Sequence, residues 1–193
     1  EDSERTQWNG CVVVLSGRTG ERLFQADIGE GSEGPGRSVC AADDCDGDGR
    51  EDIVVSVATS NGVGCVQLFG RRTASIVRRV DGRVEDGGFG ERVVRTRDFN
   101  RDGVRDLLVA ASREGEGGVL HLLSGVDGTR LRTLPGNPGE YFGIRLLCEI
   151  PDCEGDQIPE IGVSYDAEKE SRVRVLYGGS LEVMGEFARA QLR

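Results

Sequence analysis

Short apolar runs recur along the chain at intervals of 54 residues and give the clearest sign of its secondary structure. Residues 53–58, 107–111 and 161–165 read IVVSVA, LLVAA and IGVSY. Runs of this length, rich in β-branched residues and bounded by polar segments, are typical of buried strands. The pattern therefore predicts an all-β chain.

A second pattern with the same interval predicts a hairpin in each repeat. Residues 14–23, 68–76, 122–131 and 175–183 each contain an apolar stretch, a turn with glycine and a further stretch of strand-forming residues. A tight turn between two strands of this kind is the mark of a β-hairpin. We therefore expect four hairpins along the chain.

A glycine-containing pair opens each repeat ahead of its apolar run. The three pairs are Pro35-Gly36, Phe89-Gly90 and Phe142-Gly143. Together with the runs and the hairpins, they give four strands in each 54-residue unit, which is the content of one β-propeller blade. We therefore predict blades of four antiparallel strands.

An acidic loop precedes each apolar run. Residues 44–52, 98–106 and 152–160 read DCDGDGRED, DFNRDGVRD and DCEGDQIPE. Oxygen-bearing side chains thus occupy positions 1, 3, 5 and 9 around a tight turn, and Ca²⁺ takes about six to eight oxygen ligands from such loops. The loops predict calcium sites.

The EF-hand is the main alternative for these loops, because its sequence also opens D-x-[DN]-x-[DN]-G. An EF-hand needs a bidentate Glu at position 12 and a helix on each side. Position 12 is Val55, Val109 or Val163, and a strand-like run follows each loop. The EF-hand is therefore rejected.

The predicted ligands are the side chains at positions 1, 3, 5 and 9 of each loop, with the main-chain carbonyl at position 7. They are Asp44, Asp46, Asp48, Arg50 and Asp52, then Asp98, Asn100, Asp102, Val104 and Asp106, then Asp152, Glu154, Asp156, Ile158 and Glu160. Gly49 and Gly103 stand where a positive φ is expected, and Gln157 in that conformation costs about 1 kcal/mol. We therefore predict Ca²⁺ in the first two loops and a weaker or empty third site.

These motifs in this order resemble the FG-GAP repeat of the N-terminal β-propellers of integrin α-subunits and their bacterial relatives. The resemblance covers residues 10–184. The first repeat departs from it at Pro35, and the Gly-Ala-Pro part is absent, because residues 57–59, 110–112 and 164–166 read VAT, AAS and SYD. The resemblance implies a β-propeller in which calcium is structural.

The repeats predict a division of the chain into blades. We expect an N-terminal extension at 1–9, a half blade at 10–33, full blades at 34–87, 88–140 and 141–184, and a tail at 185–193. Even four blades of 54 residues would exceed the 193 residues of the chain. We therefore expect a partial propeller, or one that a second copy completes.

The acidity of the chain comes from the loops. Its formal net charge is −10, and without the eleven carboxylates at the ligand positions of the three loops it would be about +1. No basic stripe of the kind that binds phosphates is present, so we expect no nucleic-acid partner. No apolar run reaches the roughly 20 residues of a transmembrane helix.

The six cysteines include two pairs at equivalent repeat positions. Cys40 and Cys45 are five residues apart, as are Cys148 and Cys153, and the middle repeat lacks both members of the pair. This joint replacement favours two local disulfides, with buried free thiols as the alternative. The sequence does not decide whether Cys11 and Cys65 pair. Disulfides and calcium together predict an extracellular, periplasmic or cell-surface location.

No catalytic group stands out in the sequence. The chain has one histidine, His121, inside an apolar run, and no G-x-S-x-G motif. We therefore predict a non-enzymatic module for protein recognition, adhesion or self-assembly. The alternative is a carbohydrate-active propeller of the polysaccharide-lyase kind, or its accessory domain, with carbohydrate as a partner.

Overall fold

The computed structural model describes residues 10–28, 32–34, 37–59, 62–167 and 170–188. Its described residues form strands, turns and bends without a helix, so none of them forms a membrane-spanning helix. The predicted extension at 1–9 and the pair Pro35-Gly36 lie outside the region in which side chains are described. The predicted all-β class is confirmed.

The strands of the described residues form four antiparallel sheets that follow one another along the chain. The first sheet is a hairpin of β1 (Cys11–Leu15) and β2 (Arg22–Asp27). The second contains β3 (Ser32–Gly34), β4 (Val39–Ala41), β5 (Ile53–Thr59), β6 (Cys65–Gly70) and β7 (Ser75–Asp81). Both β3 and β4 pair with β5.

The third and fourth sheets have four strands each, in chain order across the sheet. The third contains β8 (Phe89–Arg95), β9 (Leu107–Ala111), β10 (Val119–Leu123) and β11 (Arg130–Pro135). The fourth contains β12 (Leu147–Ile150), β13 (Glu160–Ala167), β14 (Glu170–Leu176) and β15 (Val183–Ala188). The predicted boundary at residue 184 falls inside β15, since this strand continues to Ala188, which pairs with Arg172 of β14.

The outer hairpin of each sheet closes through the same turn. The residue at the shared turn position has a positive φ in all four: Gly20, Ala74, Gly128 and Leu181. Its N–H donates to a carbonyl four residues earlier, at 2.7–3.0 Å. This hydrogen bond holds even the non-glycine residues in a left-handed conformation, and the four predicted hairpins are confirmed.

The sheets pack face to face, and alternate residues of a central strand serve opposite faces. Leu108 and Ala110 of β9 belong to a core cluster shared with the fourth sheet. Leu107, Val109 and Ala111 of the same strand belong to a cluster shared with the second sheet. A third cluster joins the second sheet to the first hairpin. Every residue of β9 is therefore buried.

The first strands of successive sheets lie next to one another. The Ser38 hydroxyl, beside β4, donates to the Val93 carbonyl of β8 at 3.2 Å. Arg92 of β8 in turn donates from Nε to the Arg145 carbonyl, beside β12, at 3.1 Å. Stacked four-stranded sheets with their first strands at a common edge are the blades of a β-propeller, and this prediction is confirmed.

Candidate metal centres

All three acidic loops lie at the same edge of the stacked blades. The loops connect β4 to β5, β8 to β9 and β12 to β13, and β5, β9 and β13 all leave from that edge. Main-chain hydrogen bonds close the base of the first two loops. Ala42 and Asp52 exchange N–H···O bonds of 2.9 and 3.2 Å, and Thr96 donates to the Asp106 carbonyl at 2.8 Å.

The first aspartate of each loop organises the backbone that follows it. Asp44 accepts N–H bonds from Gly47 and Asp48 on Oδ1 and from Gly49 on Oδ2, at 2.7–3.0 Å. Asp98 makes the same set with Arg101, Asp102 and Gly103. Asp152 accepts the N–H groups of Gly155 and Gln157 in the same way, and that of Glu154 on Oδ1. These backbone bonds, led by the one from Gly49, lower the pKa of Asp44.

The residue at loop position 6, directly after the ligand at position 5, has a left-handed conformation in each loop. Its φ is +84° at Gly49, +92° at Gly103 and +68° at Gln157. The positive φ predicted for the two glycines is therefore confirmed. Gln157 adopts the same conformation despite its side chain, because the Asp152 carboxylate accepts its N–H at 2.8 Å.

At loop position 5 of the first loop, the two carboxylate oxygens of Asp48 have different surroundings. Asp48 Oδ1 accepts the Arg50 N–H at 2.9 Å, whereas Asp48 Oδ2 is buried and has no hydrogen-bond partner among the described residues. Asp102 accepts the Val104 N–H and Asp156 accepts the Ile158 N–H in the same way. These bonds fix the backbone at the predicted carbonyl ligands of position 7.

The ninth position holds the most buried carboxylate of each loop. Asp52, Asp106 and Glu160 are at most 1% exposed, and one oxygen of each accepts the N–H of loop position 2 at 2.7–2.9 Å. The other oxygen of Asp52 and of Asp106 accepts a second N–H, from Arg71 and Gly125. Glu160 Oε1 is buried without a partner in the described part of the chain.

Carboxylate oxygens converge in two of the three loops. One oxygen from each of Asp44, Asp46 and Asp48 lies within 4.8 Å of the others, and the same holds for Asp152, Asp156 and Glu160. The predicted ligands Asp52 and Glu154 are not members of these triplets. Desolvation, followed by the charges of neighbouring carboxylates, raises the pKa of Asp46 and of Glu154.

In the middle loop, the side-chain amide of Asn100 forms hydrogen bonds with Asp102, and no carboxylate triplet of the kind seen in the other two loops is formed by its residues. Asn100 Nδ2 donates to Asp102 Oδ2 at 2.8 Å, and Asn100 Oδ1 accepts the Asp102 N–H at 3.2 Å. Burial raises the pKa of Asp106 in this loop. Asp98, Asn100, Asp102 and Asp106 thus surround one turn, but their oxygens are engaged by donors of the protein itself.

Ca²⁺ fits the donor set of the first and third loops. All of the convergent groups are carboxylates, which are hard oxygen ligands. Each of these two loops also contains a buried carboxylate oxygen that accepts no hydrogen bond from the described residues. A buried acceptor of this kind is normally paired, so these two loops could hold a cation beside Asp48 and beside Glu160.

An ion network joins the first two loops and was not found from the sequence. Asp43, one residue before the first loop, accepts the Arg105 N–H at 2.8 Å and its guanidinium at 2.8–3.2 Å. Arg95 bridges Asp43 at 3.2 Å and Glu51 at 2.9 Å. These contacts span more than 40 residues of sequence, so only the acidity of Asp43 and Glu51 could have suggested them.

The six cysteines are free thiols in this structure. The predicted Cys40–Cys45 and Cys148–Cys153 disulfides are therefore not formed. The Cys45 thiol instead donates to the Asp43 carbonyl at 3.2 Å, and the Cys153 thiol to the Pro151 carbonyl at 3.1 Å. Burial raises the pKa of Cys40 to about 11 and that of Cys45 to about 12.

Comparison with known proteins gives structural similarity only. No family model and no curated protein matches the chain. The fold is similar to that of a rhamnogalacturonan lyase from Bacillus licheniformis, with a TM-score of 0.55 and 15% identity over 80% of this chain. The structure of the Dos1 propeller gives a TM-score of 0.48 and 13% identity over 92% of this chain. The chain spans 34% and 42% of the lengths of these two proteins.

Proposed function

We propose that this chain is a calcium-binding β-propeller module of the FG-GAP kind, resembling those of integrin α-subunits. In this proposal calcium is structural, and the module acts outside the cytoplasm in protein recognition, adhesion or self-assembly. No catalytic step is proposed. The blades and the three loops at one edge support this function.

The observation that carries the proposal is that two buried carboxylate oxygens, Asp48 Oδ2 and Glu160 Oε1, have no partner within the described ranges. Leaving a buried polar group unsatisfied costs about 1–3 kcal/mol, and more when the group is charged. A bound Ca²⁺ would supply the missing partner and reduce the repulsion among the surrounding carboxylates. The first and third loops are therefore the strongest candidates.

A calcium titration followed by calorimetry tests the proposal. We expect binding of two or three Ca²⁺ per chain, and a loss of one site when Asp48→Asn removes the charge of the unpartnered oxygen. Asp127→Asn is the matched control, because Asp127 also accepts the N–H two residues later, at 2.9 Å, but belongs to a hairpin turn. The absence of binding at millimolar Ca²⁺ would refute the proposal.

The self-assembly part of the proposal rests on apolar faces at both ends of the stack. Val13, Leu15 and Leu23 of the first hairpin are between 45% and 58% exposed. On the fourth sheet, Phe187 is 47% exposed and Val183 52%. Exposed apolar side chains on the open face of a terminal sheet can mark a docking surface, and we propose that a second copy covers them head to tail.

Sedimentation velocity tests this association. We expect wild-type protein to form dimers or larger assemblies at micromolar concentration and Leu15→Lys to be monomeric. Val84→Lys, at a valine that is 40% exposed in a loop, is the control and should not change the assembly. A monomeric wild-type protein would contradict this part of the proposal and leave calcium binding untouched.

A carbohydrate-active propeller is the second candidate. One observation favours it: a cleft away from the acidic loops combines Arg37, Arg113 and the carboxylate of Glu91. Its described lining contains no tyrosine. Incubation with acidic polysaccharide and measurement of chain length separates the candidates, because only an active enzyme would shorten the polymer.

A further inference from the structure

The cleft lies between the second and third sheets, at the edge opposite the acidic loops. Its volume is about 190 Å³. Gly62 and Gly64 come from the connection after β5, and Arg113 from the connection after β9. Because both strands start at the acidic loops, their far ends place this cleft a full strand length from the calcium sites.

Three charged side chains line the cleft. Glu91 is 5% exposed, and its Oε1 accepts Arg37 at 3.2 Å and Arg113 at 2.6 Å. Its Oε2 accepts the Ser112 hydroxyl. The side chains of Arg37 and Arg113 remain 61% and 44% exposed. Two cations therefore face one carboxylate, and the cleft has a net positive charge.

An ion pair elsewhere in the fold, between Arg174 and Glu140, differs from the cleft in the burial of its arginine. Arg174 binds Glu140 at 2.9 Å, and both side chains are only 8% exposed. The Arg174 guanidinium also lies over the rings of Tyr165 and Phe142, at 4.5 and 5.2 Å. That pair is buried, whereas Arg37 and Arg113 line the cleft with largely exposed side chains.

The wall of the cleft is held in place by glycines. Gly64 has a φ of +73°, and a Cβ there would collide with the Phe89 carbonyl. Gly90 has a φ of +84°, and a Cβ there would lie 2.9 Å from the Cys65 carbonyl. The two segments therefore touch through their backbones, which gives a preformed site.

We infer that this cleft binds a sugar acid. Guanidinium groups bind carboxylates through charge-assisted, often bidentate hydrogen bonds. Glu91 Oε1 already accepts both guanidiniums, but Oε2, which accepts the Ser112 hydroxyl, can accept one further hydrogen bond from a hydroxyl group. A sugar acid offers such a hydroxyl and an acidic amino-acid side chain lacks one. The small volume suits one ring. This binding site is independent of the proposed calcium function.

Titration with glucuronate, glucose and glutarate in saturating Ca²⁺, followed by NMR or calorimetry, tests the inference. We expect glucuronate to bind, and both glucose, which lacks the carboxylate, and glutarate, which lacks the hydroxyls, to bind at least 10-fold more weakly. Arg37→Gln should weaken glucuronate binding about 10-fold, the effect of losing one charge-assisted hydrogen bond. Arg145→Gln is the matched control, because Arg145 is 65% exposed and pairs with Asp166 outside the cleft.

Several results would overturn the inference. They are the absence of glucuronate binding, equal binding of glucose or glutarate, and an equal loss of affinity in the Arg145 and Arg37 variants. Thermal unfolding and calcium stoichiometry of each variant show whether the fold and the calcium sites are intact. Failure of sugar binding with normal calcium binding would leave the proposed function standing.

Discussion

Replacement of Glu160 by glutamine separates the stability of the apo protein from its response to calcium. Glu160 is fully buried, its Oε2 accepts the Cys153 N–H at 2.7 Å, and its Oε1 has no partner among the described residues. In Glu160→Gln the carbonyl oxygen can keep the bond from Cys153, and the new amide group can donate toward Asp152 or Asp156. The variant therefore satisfies the site without a metal.

The expected magnitudes follow from these contacts. Removing an unsatisfied buried acceptor should stabilise the apo protein by about 1–3 kcal/mol. If Kd is about 0.1 mM, 1 mM Ca²⁺ stabilises a one-site protein by about 1.4 kcal/mol, and the variant should lose this contribution at the third loop. For a chain of this size, that loss corresponds to roughly 3–6 °C less calcium-induced rise in Tm.

The assay is thermal unfolding with chelator and with 1 mM Ca²⁺. Glu149→Gln is the matched control, because Glu149 lies on β12 of the same sheet, is exposed and carries the same charge. We expect the control to resemble the wild type in both conditions. The reasoning is refuted if Glu160→Gln destabilises the apo protein, or if its calcium-induced rise in Tm equals that of the control.

Three further predictions concern the blade interfaces. Burial lowers the pKa of His121 below its usual value of about 6.5. The unfolded chain therefore binds more protons than the folded chain, and the free energy of unfolding should fall as pH drops below 6.5. His121→Gln, which copies Gln67 of the preceding blade, should lose this pH dependence in urea unfolding. Gly49→Ala should lower the free energy of unfolding by ~1 kcal/mol, because Gly49 has a positive φ. Gly64→Ala should lower it by well over that amount, because Gly64 also has a positive φ and, unlike Gly49, lacks space for a Cβ. Similar urea midpoints for the two variants would contradict this. Arg174→Met should cost about 3–5 kcal/mol by leaving a buried carboxylate unpaired, and a change below 1 kcal/mol in denaturant unfolding would contradict that view.

The sequence was sufficient to predict the repeating blades, but not the contacts that individual residues make inside them. The interval between the apolar runs predicted the blades, because each blade repeats the same local hairpins and turn. It also predicted the positive φ at Gly49 and Gly103, since glycine in that position of an acidic turn has a local cause. The turn at Leu181 shows the limit, because a main-chain hydrogen bond holds a residue there that turn chemistry would not select.

The state of each carboxylate depended on residues distant in sequence. Asp106 is satisfied by Gly125, which lies 19 residues further along the chain. Glu160 has a longer side chain, and its second oxygen is left without an equivalent donor. The loop pattern ranked the third site lowest for its glutamine and glutamate, whereas in the structure this loop brings three carboxylates together.

The cysteines show why a repeat pattern can mislead. Joint replacement of two residues indicates that they are neighbours, and it says nothing about the bond between them. Cys40 and Cys45 both pack against the core cluster between the second and third sheets. A shared place against this core accounts for the joint replacement of the pair without a bond between them.

The residue that shapes each loop differs from the residue whose buried carboxylate oxygen has no partner in the described part of the chain. The first aspartate accepts the backbone N–H groups that shape the loop, so Asp44, Asp98 and Asp152 can hold the turn without a cation. The unpartnered oxygens belong instead to Asp48 and Glu160. Removal of calcium should therefore lower stability while leaving the loop backbone in place. The ion is expected to act on the stability of the blades, rather than to switch the module between two conformations.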